Sequence, residues 1–462
     1  MKRFIFCIFS FLLFFNTILF AQSITWEKAY IQPGQQGFSS IIQTEDDQYI
    51  AVGNIRISPY DYTYIVKLNI FGDTIWTKTI NGYYGTSVIK TIDNNYAICT
   101  SDGEFIKFDI NGNILIRGSY YNIDSRINKI IQTPDGNYFM CGAYWPSVTY
   151  PELLKYDVNG NLLWDSVYYT GFYFGGFRDM ILYNNNFVLT GVNMPTGNLP
   201  EHLFIMNINQ NGERNWLNSF DSLNYVHPSN IALANNNLLI SGTFRDNDAF
   251  LAKFNNVGEN IWIKGYDTTL TGDLRSVIVS NDGNYVSTGN LETGGIQVSI
   301  MKTDTNGNII WQKFYGYNIN STSPFDLKQT SDSGFIAAGR TNFQSTDCYV
   351  LKTDKNGYVK PIGIIKQEQN IPPNFVLYQN YPNPFNPMTC IKYEIPNDAN
   401  IKLTVYDITG REIISINEYR QAGVYTYTFD GTNLASGIYI YKIDASTPLS
   451  TYTETRKMVL IK

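Results

Sequence analysis

Between Ile41 and Gly357 the sequence states one pattern seven times. A short β-forming run leads into an Asp- or Asn-rich turn and an aromatic residue, and a second run ends in Gly. After a variable segment come a third run, an Asn-Gly-type turn and a fourth run carrying Trp. The first copy reads Ile41-Ile42-Gln43-Thr44, Asp46-Asp47-Gln48-Tyr49, Ala51-Val52-Gly53, Tyr64 to Leu68, Phe71-Gly72 and Ile75-Trp76. The sixth reads Asp282-Gly283-Asn284-Tyr285, Thr288-Gly289, Met301-Lys302-Thr303-Asp304, Asn306-Gly307 and Trp311. The late-turn glycines, Gly72, Gly112, Gly160, Gly212, Gly258, Gly307 and Gly357, lie 40 to 52 residues apart. A unit of four short strands cannot bury its apolar faces alone, so each copy has to pack against its neighbours.

Trp76, Trp164, Trp216, Trp262 and Trp311 follow five of these glycines by four residues, and Ile116 takes the place in the second copy. The seventh copy leaves the pattern at Pro361, while a Trp-bearing strand, Ile24 to Tyr30 with Trp26, precedes the first copy. Lending that strand to the last copy closes a ring and removes the open sheet edges; a solenoid needs caps and gives the strand no role. The expected fold is all-β: a seven-bladed β-propeller over residues 22–362. The Asp-x-Asn-Gly-x-x-x-Trp segment resembles the tryptophan-docking repeat of quinoprotein propellers. That resemblance implies a Trp packed on the turn Gly of a neighbouring blade.

Turn chemistry sorts the two faces. The Asp-Gly and Asn-Gly turns are short hairpins that need positive φ, and in an up-and-down blade they share one face. The variable connections share the other, and function usually sits on loops carried by a rigid scaffold. Those loops are aromatic, and exposed aromatics suit stacking on sugars or contact with peptides. The candidate ligand-binding residues are Tyr83, Tyr84, Trp145, Tyr168, Tyr169 and Tyr173, with Tyr120, Tyr266 and Tyr315 further round. Lys129, Arg178, Arg275 and Asp326 fall on innermost strands and are expected at the central opening.

Charged residues make up 16% of the chain and its formal net charge is −6, so there is no basic footprint for nucleic acid. The two histidines, His202 and His227, fall on different blades, too few for a metal cluster or a His-based triad. Asp109-Ile110-Asn111-Gly112-Asn113, Asp157-Val158-Asn159-Gly160-Asn161 and Asp304-Thr305-Asn306-Gly307-Asn308 look like the start of a calcium loop. They lack the downstream Glu and coincide with hairpin turns. No catalytic residue, metal ligand or cofactor is assigned. Cys99 and Cys141 occupy the place of Val52 in successive copies, a core position, so buried thiols are expected rather than a disulfide framework.

At the N-terminus, Lys2-Arg3, the apolar run Phe4 to Phe20 and the small residue Ala21 read as a signal peptide, residues 1–21, and no later stretch is apolar enough to span a bilayer. Residues 363–376 read as a linker, the pattern changes to a compact β-sandwich from Phe375 onward, and the C-terminal domain is taken as residues 377–462. Asn380-Tyr381-Pro382-Asn383-Pro384-Phe385-Asn386-Pro387, then Thr389, Ile391, Tyr393 and Ile395, open it. Val405 to Arg411, Leu434-Ala435-Ser436-Gly437-Ile438-Tyr439 and Lys457-Met458-Val459-Leu460 follow. Residues 377–462 resemble the type A C-terminal sorting domain of the bacterial type IX secretion system, an Ig-like sandwich. The resemblance implies recognition by that machinery through Asn380, Pro382, Asn383, Pro384, Phe385, Asn386, Pro387, Gly437, Tyr439 and Lys457. It also implies an extracellular or outer-membrane-surface location in a Gram-negative bacterium. For the propeller the reading is a non-catalytic binding or adhesion module for polysaccharide or surface protein. The alternative is a secreted propeller enzyme, glycan-active or quinoprotein-like.

Overall fold

The computed structural model of the protein describes residues 24–30, 34–118, 120, 124–171, 174–194, 201–220, 226–244, 248–266, 272–292, 296–316, 322–341, 346–359, 374–380, 382–420, 422–447 and 451–461. The expected signal peptide and most of the expected linker lie outside these residues. Among them every regular element is a β-strand, and no helix is long and apolar enough to cross a membrane.

Seven four-stranded antiparallel sheets run from residue 26 to residue 353. Six are built from consecutive strands. The seventh pairs Trp26–Tyr30 with Asp347–Thr353, in the register Trp26 to Lys352 and Tyr30 to Cys348. The ring is therefore closed by the N-terminal strand, as the repeat count requires. Ser331 N, in the seventh blade, also donates to Gln43 Oε1 of the first at 2.7 Å.

The core of the propeller is seven apolar layers, one between each pair of neighbouring blades. Side chains alternate across a strand, so a strand in the middle of a blade feeds two layers at once. In the fourth blade Phe187 and Leu189 face the third blade, while Val188 between them faces the fifth. This explains the unbroken apolar runs of the second and third strands. It also explains the thiols: Cys99 lies in the layer between blades two and three and Cys141 in the next layer, each buried and free.

At the rim each layer is clasped. The outermost strand of each blade lays its large side chain on the turn glycine of the next: Trp26 on Gly72, Trp76 on Gly112, Ile116 on Gly160, Trp164 on Gly212, Trp216 on Gly258, Trp262 on Gly307 and Trp311 on Gly357. A Cβ at Gly72 would stand 2.7 Å from the Trp26 ring, and its φ is +77°, so only glycine fits. The indole of Trp26 donates to Ile70 O at 2.9 Å. Four residues beyond the docked side chain stands a second clasp. Tyr30, Tyr168, Tyr266 and Tyr315 donate their hydroxyls to the carbonyls of Gly72, Gly212, Gly307 and Gly357 at 2.6 to 3.0 Å. Tyr168, Tyr266 and Tyr315 are thus buried parts of blade junctions, not exposed loop aromatics.

The short-turn face is stitched by a third-strand lysine reaching the hairpin aspartate: Lys67 to Asp46 (3.2 Å), Lys107 to Asp93 (2.7 Å), Lys302 to Asp282 (2.5 Å) and Lys352 to Asp332 (2.9 Å). The calcium-like segments on this face are Asx turns. Asp157 Oδ1 accepts Asn159 N and Asn161 N at 2.9 and 2.8 Å, and Asp109 and Asp304 repeat the arrangement.

The C-terminal unit packs a three-stranded sheet against a four-stranded one around its own core, from Leu377 to Leu460. Near its start Val376 pairs with Glu394, and Phe375 stacks on Tyr452.

Candidate ligand-binding face and sorting surface

The innermost strands of all seven blades share an irregularity that the sequence does not announce. Each carries a β-bulge at the same height, leaving one residue unpaired with the second strand: Ser39, Thr86, Asn128, Arg178, Ser229, Arg275 and Phe325. A bulge re-aims its extra side chain, and here all seven line the central channel. The next residue of each strand, Ser40, Ser87, Lys129, Asp179, Asn230, Ser276 and Asp326, forms a second ring just inside the first.

The inner ring satisfies the amides that the bulges free. Asp326 Oδ2 accepts Ile41 N at 3.0 Å and Ser40 Oγ at 2.8 Å, and Asp179 Oδ2 accepts Ile231 N at 3.0 Å. Asn230 Oδ1 accepts Val277 N at 2.9 Å. In each case the side chain of one blade receives the strand of the next. Lys129 cannot accept; its Nζ stands 3.0 Å from Asp179 Oδ1. Burial works against the charge on Lys129, but Asp179 and Asp326 outweigh it and hold the ammonium above the usual lysine range. Burial likewise opposes the charge on Asp326, and Lys328 and Lys129 outweigh it, so its carboxyl is held below the usual range. The four residues expected at the opening, Lys129, Arg178, Arg275 and Asp326, all lie there.

On the variable-loop face the channel widens into a mouth of about 770 Å³. Its wall includes Arg56, Arg178, Arg275, Arg340, Tyr84, His227 and Phe325. Arg275 and Arg340 lie over the Phe325 ring at 4.8 and 5.4 Å. Asp273 is fully engaged: Oδ2 meets Arg275 Nε at 2.6 Å and Oδ1 accepts Asn290 N at 2.8 Å. His227 Nδ1 stands 2.6 Å from Glu201 Oε2 across the junction of blades four and five.

A second cavity of about 480 Å³ adjoins the mouth between blades three and four, the two sharing Asn128 and Arg178. Trp145, 56% exposed, stands on its wall with Phe177, Val192 and Met194. Gly176 packs its backbone so close to Ala143 that a Cβ would come within 2.8 Å, which brings the two blades together along this wall. Asn193 also lines the cavity. Its side chain is fully buried and neither amide atom finds a hydrogen-bond partner within the described residues. Buried polar groups are almost always paired, so this amide keeps a donor and an acceptor unused among the described residues, behind the cavity wall.

Of the six aromatic candidates, Trp145 and Tyr84 border these cavities. Tyr83 and Tyr169 are exposed at blade connections, away from both linings. Tyr168 is a buried clasp, and Tyr173 lies outside the described residues. Asn193, Phe325, Arg340 and Glu201 were not visible as site residues in the sequence. Phe325 sits at a bulge inside its strand and the other three at or beside strand ends, where only the bulge geometry and the ring arrangement bring them together. The W-x-x-x-Y spacing was the available signal that Tyr168 belongs to the scaffold.

The expected sorting motif folds as the seam between the opening segment and the last strand. Asn380 N donates to Tyr441 Oη at 2.7 Å, and Asn380 Nδ2 donates to Thr389 Oγ1 and Pro382 O at 2.9 and 3.0 Å. Phe385 is buried against Phe429; its N donates to Val459 O and its O accepts Ile461 N. Val459 N donates to Asn383 Oδ1 at 2.9 Å, and Gly431 N donates to Pro387 O at 2.8 Å. Gly437 pairs with Leu460, and the Tyr439 hydroxyl donates to Ala435 O at 2.8 Å. Pro382, Asn383, Pro384, Asn386 and Lys457 remain exposed beside this seam.

Residues 379–461 match the family described as "Secretion system C-terminal sorting domain". No curated protein matches the chain. Among solved structures, BamB from Moraxella catarrhalis is 11% identical, with a TM-score of 0.37, the alignment covering 69% of this chain and 99% of that one. The Dos1 propeller is 10% identical, with a TM-score of 0.45, covering 79% and 92%. The C-terminal unit is a type IX sorting domain and marks the protein for export by that machinery, to the cell surface or beyond it.

Proposed function

We propose that the protein is a glycan-binding module, exported from a Gram-negative bacterium after removal of residues 1–21, whose propeller holds a polysaccharide on its variable-loop face without chemical turnover. One observation carries the reading. A cavity of about 480 Å³ presents an exposed indole, Trp145, beside a buried and unpaired amide, Asn193. A flat aromatic face and a fixed donor–acceptor pair are what a sugar ring, apolar on its faces and polar at its edge, requires. A glycan array run with the purified mature protein tests it. Trp145→Ala should abolish or strongly weaken the signal, and Asn193→Ala should weaken it more than Asn193→Asp. A protein that binds no glycan, or binds equally well without Trp145, refutes the reading.

The second reading is a glycan-active enzyme, favoured by the Glu201–His227 pair at the edge of the same face. Hydrolase and lyase assays on the array hits separate the two: turnover lost in Glu201→Gln would replace binding by catalysis.

A further inference from the structure

We infer that the glycan is anionic, with its acid groups received by the arginines of the channel mouth while its sugar rings extend toward Trp145. This rests on the glycan-binding reading above and names the chemical class of the ligand.

The mouth is cationic on an acidic protein. Its wall carries four arginines against two aspartates, whereas the whole chain has a net charge of −6. One of those aspartates, Asp273, is already consumed by Arg275 and Asn290 N. Arg178 and Arg340 are exposed, and their guanidiniums make no hydrogen bond or ion pair with any of the described residues; that of Arg340 lies over the ring of Phe325. Two guanidiniums without a carboxylate, in a concave wall that focuses their field, favour an anion. Arg275, already paired with Asp273, and Arg340 both lie over the Phe325 ring; the guanidiniums of Arg178 and Arg340, without a carboxylate among the described residues, are of the kind that meets a carboxylate or sulfate in a bidentate fork.

Continuity argues for a chain rather than a free anion. Arg178 borders both cavities, so the acid-binding groups and the Trp145 wall form one surface, from the rim of blade three to the axis. A small anion would use the mouth alone and leave the indole and the Asn193 amide without a role. A chain of acidic sugars uses all of them.

The test titrates the purified mature protein with three probes: oligogalacturonate for carboxylates, a sulfated dextran fragment for sulfates, and neutral dextran of matched length. At least one acidic probe should bind tenfold or more tightly than neutral dextran at 50 mM NaCl, and the preference should shrink at 500 mM as salt screens it. Arg178→Ala with Arg340→Ala should remove the preference, and the paired Lys variants, which keep the charge but not the fork, should restore part of it. Trp145→Ala should weaken charged and neutral probes alike. Equal affinity for neutral dextran, or a preference untouched by the double arginine variant, refutes acid recognition and leaves the glycan reading standing. Failure to bind any probe, together with a blank array, removes both. The stronger of the two acidic probes identifies the acid group.

Discussion

Gly72 and Gly283 have nearly the same backbone, φ +77° and +80°, but different neighbours. Beyond the Cβ position of Gly72 lies the Trp26 ring at 2.7 Å; beyond that of Gly283 there is nothing within 4 Å. Gly283→Ala should therefore cost only the left-handed backbone, about 1 to 2 kcal/mol. Gly72→Ala adds overpacking, for about 2 to 5 kcal/mol in all. Denaturant titration of both variants checks the difference, and equal costs would contradict the clasp. Asp326 gives a pH prediction. Its folded-state pKa lies below the unfolded one, so its stabilising contribution is complete above about pH 4 and disappears as the pH falls through the folded value. Asp282, which Lys302 also holds down against the effect of burial, acts in the same window and direction. Asp326→Asn should lower stability at pH 7 and flatten the acid limb of the stability curve between about pH 5 and pH 2. The same loss at pH 7 and pH 3 would rule this out.

Among elements, the closing strand Trp26–Tyr30 is the one whose removal changes the topology. Without it Asp347–Thr353 becomes an open edge, a template for pairing with another chain. A protein beginning at Gly34 should associate or aggregate, seen in light scattering after size exclusion as a larger mass than that of the mature protein. An unchanged mass and stability would show that closure does not matter. This strand was legible before the structure because its Trp had no copy to belong to, and the docked pairs were legible from the four-residue interval between Gly and Trp. The bulges were not. The residues they free range from Ser39 to Arg178 to Phe325, and a position that accepts such different side chains leaves no trace in a single sequence. The tyrosines were misplaced for a related reason: Tyr168 and Tyr169 are neighbours with the same composition, and the pleat alone sends one into a junction and the other into solvent.

At the scale of the molecule, propeller and sorting domain have cores with no residue in common. Calorimetry of the mature protein should show two separable transitions, and a chain ending at residue 359 should keep the propeller's transition while losing export; a single merged transition that vanishes on truncation would contradict this independence. What the propeller does was the least legible part, because its candidate face is assembled from inner strands contributed by every blade. That construction has one outcome for how such a protein changes over time. The residues at 39, 86, 128, 178, 229, 275 and 325 lean on no ladder partner. Asn128 also ties blade three to blade four, its Nδ2 donating to Phe177 O at 2.7 Å; the others can be exchanged singly without resetting a strand. The channel is a seven-place code that mutation can rewrite one letter at a time, and the specificity of the face can drift while the ring that carries it stays as it is.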